Sequence, residues 1–158
     1  MLKIILSGCN GKMGRVITDI VNKRNDASIV AGVDLDISQN GPYPVFNNFR
    51  DITCDADVII DFSNPAVLSS MLDFAKEKKM PVVVSTTGFS DDQISNIKSS
   101  SAEIPVFFSF NMSLGINLLA ELCRKAAAIL EGFDIEIIEK HHNQKIDAPS
   151  GTAIMLAD

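Results

Sequence analysis

The chain has 158 residues, a length that suits one domain with the start of a second and allows a sizeable core. Its 46% hydrophobic and 22% charged residues exclude a disordered or fibrous chain. A formal net charge of −6 argues against a surface devoted to nucleic acid or to anionic lipid.

The cysteines and the N-terminal segment bear on the cellular compartment of the protein. Cys9, Cys54 and Cys123 are odd in number and far apart, so they form neither a disulfide framework nor a CxxC metal motif. The apolar run MLKIILSG is too short for a signal peptide, and no segment approaches the ~18 apolar residues of a membrane span. We therefore expect a cytoplasmic protein with no membrane partner.

The first part of the chain alternates short apolar runs with helical patterns. Five runs bounded by turn residues are typical of buried parallel strands: Lys3–Leu6, Ile29–Val33, Val58–Phe62, Val82–Ser85 and Val106–Phe110. After the first run, helical spacing places one apolar stripe on one helix face: Met13, Val16, Ile17, Ile20 and Val21. Asn64 and Pro65 form a helix start, which predicts a helix to about Lys79. This order predicts an α/β fold with a Rossmann-like doubly wound parallel sheet.

A different pattern follows. A helix is predicted over about Leu114–Leu130, ended by Gly132, with these residues turned inward: Leu118, Leu119, Leu122, Ala126 and Ile129. The stretch Phe133–Lys140 then alternates apolar and acidic residues, which predicts a strand with one covered face. We interpret it as the first strand of a second, mixed or antiparallel sheet.

A glycine loop lies between the first strand and the first helix. In SGCNGKMGR, Gly8, Gly11 and Gly14 are spaced so that the backbone can approach a pyrophosphate at the positive end of the helix. The match to GxGxxG is imperfect, and a simple strand-to-helix turn is the alternative. Asp34, at the end of the second predicted strand, favours the dinucleotide interpretation because it can accept both hydroxyls of an adenosine ribose.

The residues after Asp34 bear on the choice of cofactor. No lysine or arginine occupies positions 35–40, and Asp36 adds a second negative charge, so a 2′-phosphate would be repelled. We expect NADH to be preferred, with NADPH still possible because Arg15 lies in the first helical turn.

Polar loops follow three other strands, at the edge where open α/β sheets bind ligands. They are DFSNP, STTGF and SFNMSLGIN, at 61–65, 85–89 and 109–117. Each alone is explained by a helix cap or a turn. Together with the glycine loop they favour a dinucleotide cleft, with Phe62 and Ser63 among its contacts.

The segment EKHHNQKIDAPSGTA, residues 139–153, holds both histidines. Adjacent residues of a strand point to opposite sides, so His141 and His142 are poor joint ligands and no metal is expected. The chain lacks a GxSxG nucleophile motif. A solvated polar loop is the plain alternative. If Ser150 caps a helix through Ile154 and Leu156, its first-turn amides beside Lys145 predict a carboxylate site.

With these motifs in place, the chain closely resembles the 4-hydroxy-tetrahydrodipicolinate reductase (dihydrodipicolinate reductase) family. The resemblance rests on GCNGKMGR, DFS, TTGF, FNMSLGIN and above all EKHHNQKIDAPSGTA, and it covers essentially the whole chain. It implies NAD(P)H-dependent reduction of 4-hydroxy-tetrahydrodipicolinate to tetrahydrodipicolinate in lysine and diaminopimelate biosynthesis. It also implies a dinucleotide-binding domain at 1–112, followed at 113–158 by a connecting helix and the first part of an α+β substrate-binding and oligomerisation domain.

The resemblance assigns roles to individual residues. A pyrophosphate loop is implied for Gly8, Gly11, Lys12, Met13 and Gly14, and ribose binding for Asp34. The loops at the nicotinamide side are implied to be Thr86, Thr87 and Gly88, and Phe110, Asn111 and Met112. His141 and Lys145 match the proton-donating pair, and the groups that hold the carboxylates of a small dicarboxylate substrate are implied to be His142, Lys145, Ser150, Gly151 and Thr152.

Family members are considerably longer than this chain, so we expect a C-terminally truncated chain with an exposed apolar patch and a homotetramer for the full-length protein. Both residues of this pair, His141 and Lys145, are candidates for the proton donor. The alternatives are another two-domain NAD(P)H oxidoreductase that acts on a small amino or carboxylic acid, and a non-catalytic nucleotide-binding fragment.

Overall fold

The computed structural model describes residues 1–37, 41–109, 111–143 and 148–157. The chain divides into two compact units, Met1–Phe108 and Ser109–Asp158. Within the described residues, the first unit contains six strands and three α-helices, and the second contains two α-helices.

The first unit is built on a parallel sheet with the strand order β3-β2-β1-β4-β5-β6. The strands are β1 Leu2–Ser7, β2 Ala27–Val33, β3 Val45–Phe46, β4 Val58–Asp61, β5 Val82–Val84 and β6 Val106–Phe108. The chain winds outward from β1 to one edge and then from β4 to the other, which is the doubly wound Rossmann arrangement. The predicted fold is therefore confirmed, and the crevice between β1 and β4 is the expected ligand position.

The five predicted strands are all present and differ from the prediction by at most two residues at an end. Phe110, predicted to close the last of them, lies outside the described residues. The sixth strand, β3, was not predicted because two residues carry no periodicity. Its register with Gly32 and Val33 at the sheet edge is what defines it.

Three α-helices flank the sheet: α1 Lys12–Val21, α2 Leu68–Lys78 and α3 Asp91–Ser100. The predicted start at Asn64 and Pro65 is confirmed, since the Asn64 side chain accepts a hydrogen bond of 3.0 Å from the Ala66 amide and a 3₁₀ turn, Pro65–Val67, leads into α2. Helix α3 was missed. Its signal is the capping box of Ser90 and Gln93, which caps a helix of mostly polar residues.

The core of the first unit lies between the sheet and one layer of helices. It is a single cluster of buried side chains from β1, β2, β4 and β5, from α2 and α3, and from the connecting segments. Helix α2 contributes Leu68, Met71, Leu72 and Ala75, all at most 1% exposed, at the spacing of one helical face.

Helix α1 buries only part of the predicted apolar stripe. Gly14 and Val21 are buried, whereas Met13, Val16 and Ile20 are each about half exposed. The reason is the close approach at Gly14, which turns the face with Gly14 and Val21 towards the sheet. The predicted stripe therefore forms one apolar helix face, of which Val21 is buried and Ile17 is partly buried.

The second unit contains α4 Leu114–Ile129 and α5 Gly151–Ala157. Gly132 has φ +88°, as expected for a glycine that follows a helix end. Every residue of α4 is described and none is buried, so the predicted inward positions are wrong: Leu118, Leu119, Leu122, Ala126 and Ile129 are all exposed. The described part of this unit supplies little beyond α5 to cover a 16-residue helix.

The strand predicted over residues 133–140 is also absent among the described residues. Phe133, Ile135 and Ile137 do alternate with acidic residues, yet they are 71%, 68% and 44% exposed. A strand requires a hydrogen-bonded neighbour, and no described residue of the second unit provides one.

Candidate functional site

The glycine loop joins β1 to α1 in a very tight turn. Gly8 has φ +75° and its amide donates to the Val33 carbonyl at 2.8 Å, which ties the loop to the end of β2. A Cβ atom on Gly14 would overlap the backbone oxygens of Gly8 and Cys9. The loop and the first turn of α1 are therefore in backbone contact.

The N-terminus of α1 is open to an anion. Its N-cap is Gly11, no side chain caps it, and its first turn contains no acidic residue. The first amides of a helix lack intrahelical acceptors and carry the positive end of the helix dipole. Lys12 and Met13 are exposed in this turn, and Gly14 is buried beneath it.

A cleft of about 530 Å³ opens at the carboxyl ends of β1, β2 and β4. It is lined by the glycine loop, by the residues after β2 and by the residues after β4. Sequence-predicted residues that line it are Gly8, Gly11, Asp34, Phe62 and Ser63. The structure thus brings the loop, the acid and the DFS motif to one cavity of the first unit.

Asp34 is held by backbone amides at the rim of this cleft. Its Oδ2 accepts from the Asn10 amide at 2.9 Å, and its Oδ1 accepts from the Asp36 amide at 3.3 Å. The Asn10 side chain donates to the Asp36 carbonyl, and Arg15 Nε donates to the Asn10 carbonyl at 3.1 Å. Asn10 therefore fixes the loop against Asp34.

Cys9 lies under the same loop and is 2% exposed. Burial, and secondarily the negative charge of Asp34, raises the pKa of its thiol from 9.0 to about 11. A thiol with so high a pKa is not a nucleophile at neutral pH. Cys9 instead packs against Gly32, where an added Cβ would meet its sulfur.

A buried polar cluster joins the DFS and TTGF motifs. Asp61, at the end of β4, is 2% exposed and accepts from Ser63 Oγ at 2.5 Å and from Thr86 Oγ1 at 2.7 Å. The Ser63 amide donates in turn to Thr86 Oγ1 at 2.9 Å. Thr87 and Gly88 follow on an exposed stretch, with Gly88 at φ +80°. Sequence reasoning missed Asp61, although an acid that ends the apolar run VIID is a signal for it.

Two sequence-predicted residues meet within the second unit. Asn111 Nδ2 donates to Thr152 Oγ1 at 2.9 Å, across 41 positions of the sequence. Asn111 Oδ1 accepts from the Ser113 amide at 2.8 Å, which orients the side chain at the start of α4. Met112 is 38% exposed, and Phe110 lies outside the described residues.

Ser150 caps α5 as predicted. It is 5% exposed, and its Oγ accepts from the Ala153 amide at 3.1 Å. Its own amide donates to Glu139 Oε1 at 3.0 Å, and Glu139 Oε2 lies 3.5 Å from His141 Nδ1. Glu139 therefore links His141 to the start of α5, a role that its sequence position did not reveal.

Gly151 and Thr152 are the first residues of α5, and His142 is exposed. Lys145, predicted as catalytic and substrate-binding, lies outside the described residues. Within the described ranges, no cluster of three or more His, Cys, Asp or Glu residues is arranged for a metal ion. None of the helices in those ranges has the length and apolar character needed to cross a membrane.

Comparison with known proteins identifies the family. Residues 2–112 match the model for the dihydrodipicolinate reductase N-terminus, and residues 115–158 match that for its C-terminus. The 4-hydroxy-tetrahydrodipicolinate reductases of Clostridium tetani and Caldanaerobacter subterraneus are 50% and 47% identical over the full length of this chain, which spans 62% of each. A dipicolinate-bound dihydrodipicolinate reductase from Paenisporosarcina sp. TG-14 matches with a TM-score of 0.79 and 31% identity, over 99% of this chain and 64% of that one. The chain belongs to the dihydrodipicolinate reductase family.

Proposed function

We propose that this chain supplies the dinucleotide-binding domain, residues 1–112, and part of the substrate-binding domain, residues 113–158, of an NAD(P)H-dependent 4-hydroxy-tetrahydrodipicolinate reductase. The reaction is the reduction of that compound to tetrahydrodipicolinate in lysine and diaminopimelate biosynthesis. The observation that carries the proposal is the 50% identity, over the whole chain, to the Clostridium tetani protein of that name.

The geometry of the glycine loop supports a dinucleotide. Gly8 and Gly14 leave space that a Cβ would fill, and the uncapped N-terminus of α1 attracts a pyrophosphate. The residues proposed to hold it are Gly8, Gly11, Lys12, Met13 and Gly14. The remaining cofactor contacts are proposed for Phe62, Ser63, Thr86, Thr87, Gly88, Phe110, Asn111 and Met112.

We propose NADH as the preferred cofactor, with NADPH possible. A carboxylate has about four lone-pair sites, and two amides occupy only two of those on Asp34, so it can still accept from a ribose diol. A 2′-phosphate at the same rim would face the charges of Asp34 and Asp36. Arg15 Nε donates to the Asn10 carbonyl, which holds a cation beside the loop to offset part of that repulsion.

The second unit is proposed to hold a small dicarboxylate. The dipicolinate-bound relative supports this class of ligand. Its carboxylates are assigned to His142, Lys145, Ser150, Gly151 and Thr152. The hydrogen bond from Asn111 to Thr152 supports a shared site, because it joins a residue proposed for the cofactor to one proposed for the substrate.

The bound nicotinamide supplies the hydride, and the chain supplies a proton and positive charge. A cation near the developing negative charge of the reduced ring lowers the barrier. Lys145 and His141 are the two proposed donors. Glu139 lies near Nδ1 of His141, which leaves Nε2 as the nitrogen that can transfer a proton. We further propose a homotetramer for the full-length protein and, from the unpaired cysteines, a reducing cytoplasmic location.

The test is a spectrophotometric assay of NADH oxidation, with substrate generated from pyruvate and aspartate semialdehyde. It is run on the chain, on the same protein extended to the length of its relatives, and on His141→Gln and Lys145→Ala. The extended protein should turn over, and the variant of the true donor should lose at least about 100-fold in kcat. NADH binding without turnover in the extended protein would contradict the proposal and favour a non-catalytic nucleotide-binding protein.

A further inference from the structure

Asp61 is a buried carboxyl group in an unusual position. It lies at the carboxyl end of β4, in the middle of the sheet, and no described lysine, arginine or histidine forms an ion pair with it. A buried carboxylate is costly unless its oxygens are hydrogen-bonded. Here the hydroxyls of Ser63 and Thr86 provide those bonds, one to each oxygen.

The direction of each hydrogen bond in this cluster is determined. Ser63 Oγ and Thr86 Oγ1 each donate a hydroxyl hydrogen to one oxygen of Asp61, which accepts both. Thr86 Oγ1 also accepts from the Ser63 amide at 2.9 Å, which closes a ring of three residues. Ser63 therefore has neither its hydroxyl hydrogen nor its amide hydrogen left for a phosphate oxygen, and Thr86 has no hydroxyl hydrogen left.

The ring is not needed to hold the two strands together. The ladder already pairs Asp61 with Val84, and the Ser85 amide donates to the Asp61 carbonyl at 2.9 Å. Packed apolar side chains would stabilise such a position at least as well as a buried charge. The ring instead fixes the main chain just beyond β4.

That main chain determines how closely the two walls of the cleft approach. The carbonyl of Phe62 and the Cα of Ser63 occupy the space where a Cβ on Gly8 would lie. The backbone at 62–63 is thus in contact with the glycine loop on one side and tied by the ring to Thr86 on the other. The side chain of Asp61 therefore determines the spacing between the glycine loop, the segment 62–63 and the Thr86 loop.

We propose that Asp61 is a positioning residue for the dinucleotide, which holds the 62–63 wall of the cleft against the glycine loop and in register with the Thr86 loop. This rests on the proposed function. The hydroxyls of Ser63 and Thr86 then act as supports, so that the cofactor contacts proposed above for these two residues come from their remaining backbone groups.

The test measures the dissociation constant for NADH by titration calorimetry, together with thermal stability, in the unsubstituted chain, Asp61→Asn, Thr86→Val and Thr86→Ser. Asn at 61 turns an NH₂ towards one of the hydroxyls, and Val at 86 removes the hydroxyl, so each should raise the Kd for NADH by about tenfold. Thr86→Ser keeps the hydroxyl and should stay within about threefold of the unsubstituted chain. Val84→Ala is the matched control, because Val84 is fully buried on the neighbouring strand but lies outside the ring.

The proposal requires that the affinity for NADH and the thermal stability change independently of each other. Val84→Ala should lower the melting temperature and leave the Kd unchanged, provided that the Kd of each protein is measured well below its melting temperature. The inference would be overturned, and the proposed function left standing, by either of two results. One is an unchanged Kd in folded Asp61→Asn and Thr86→Val; the other is a Kd in Val84→Ala that rises with the loss of stability as much as in those variants. Failure of the unsubstituted chain to bind NADH would overturn the proposed function and the inference with it.

Discussion

At the scale of single residues, Asp34 is expected to decide between the two nicotinamide cofactors. Asp34→Asn removes the negative charge and one acceptor, so the Kd for NADH should rise about tenfold while that for NADPH falls or stays constant. The ratio of the two constants, measured by fluorescence titration, reports the change. Asp36→Asn is the control for the charge alone. An unchanged ratio in Asp34→Asn would contradict the assignment of this residue to the ribose.

Cys9 gives a pH dependence whose sign follows from its pKa. The fold raises that pKa from 9.0 to about 11, so between these values the folded state retains a proton that the unfolded state has lost. The contribution is fully present below pH 9 and disappears as the pH rises towards 11. Its upper bound is about 2.7 kcal/mol, at 1.36 kcal/mol per pKa unit.

Urea unfolding at pH 8 and pH 10.5 measures this contribution. The unsubstituted chain should lose more stability between the two values than Cys9→Ser, which has no titrating thiol at this position. Parallel pH profiles for the two proteins would show that the fold does not favour the protonated thiol.

At the scale of secondary-structure elements, the position of α1 depends on Gly14. A methyl group there would overlap the backbone of Gly8 and Cys9, so Gly14→Ala must move the helix away from the loop. We expect a loss of about 2 kcal/mol or more in the free energy of unfolding, as for other overpacked sites. Gly41→Ala is the control, because an added Cβ meets nothing within 4 Å, and its stability should change by less than about 0.5 kcal/mol. Equal stabilities of the two variants would refute the close packing of α1.

Elements with a strong local signal were predicted well from the sequence. The buried strands are runs of β-branched residues, and the start of the α2 region has an Asn-Pro cap, so local chemistry defines them. The edge strand β3 depends on pairing with Gly32 and Val33, and a two-residue element leaves no pattern. The stretch 133–140 shows the opposite case, since a clear alternation does not form a strand without a described partner.

At the scale of the whole molecule, the sequence motifs predicted which residues belong to the candidate site but not the hydrogen bonds that join them. The sequence places Ser63 and Thr86 in two separate loops, and their common dependence on Asp61 appears only when β4 and β5 lie side by side. The same holds for Asn111 and Thr152, which are joined across 41 positions. Hydrogen bonds between distant segments depend on packing, which local patterns do not encode.

The uneven burial of the two units leads to a prediction about association. Among the residues that the structure describes, the buried hydrophobic ones all lie between Ile4 and Ile104, whereas Leu118 and Leu122 on α4 are more than half exposed. An apolar helix face of this kind favours contact with a second apolar surface. We expect the chain to elute in size-exclusion chromatography as species larger than a monomer, in proportion to its concentration.

Two altered proteins distinguish this association from the folding of the first unit. The double variant Leu118→Gln, Leu122→Gln should shift the protein towards the monomer, because it replaces exposed apolar surface with polar surface. A fragment of residues 1–112 lacks α4 but keeps the whole buried core, so it should remain monomeric and folded by circular dichroism. If this fragment associates as strongly as the full chain, the contact surface lies on the first unit, with the half-exposed Met13, Val16 and Ile20 of α1 as the next candidates.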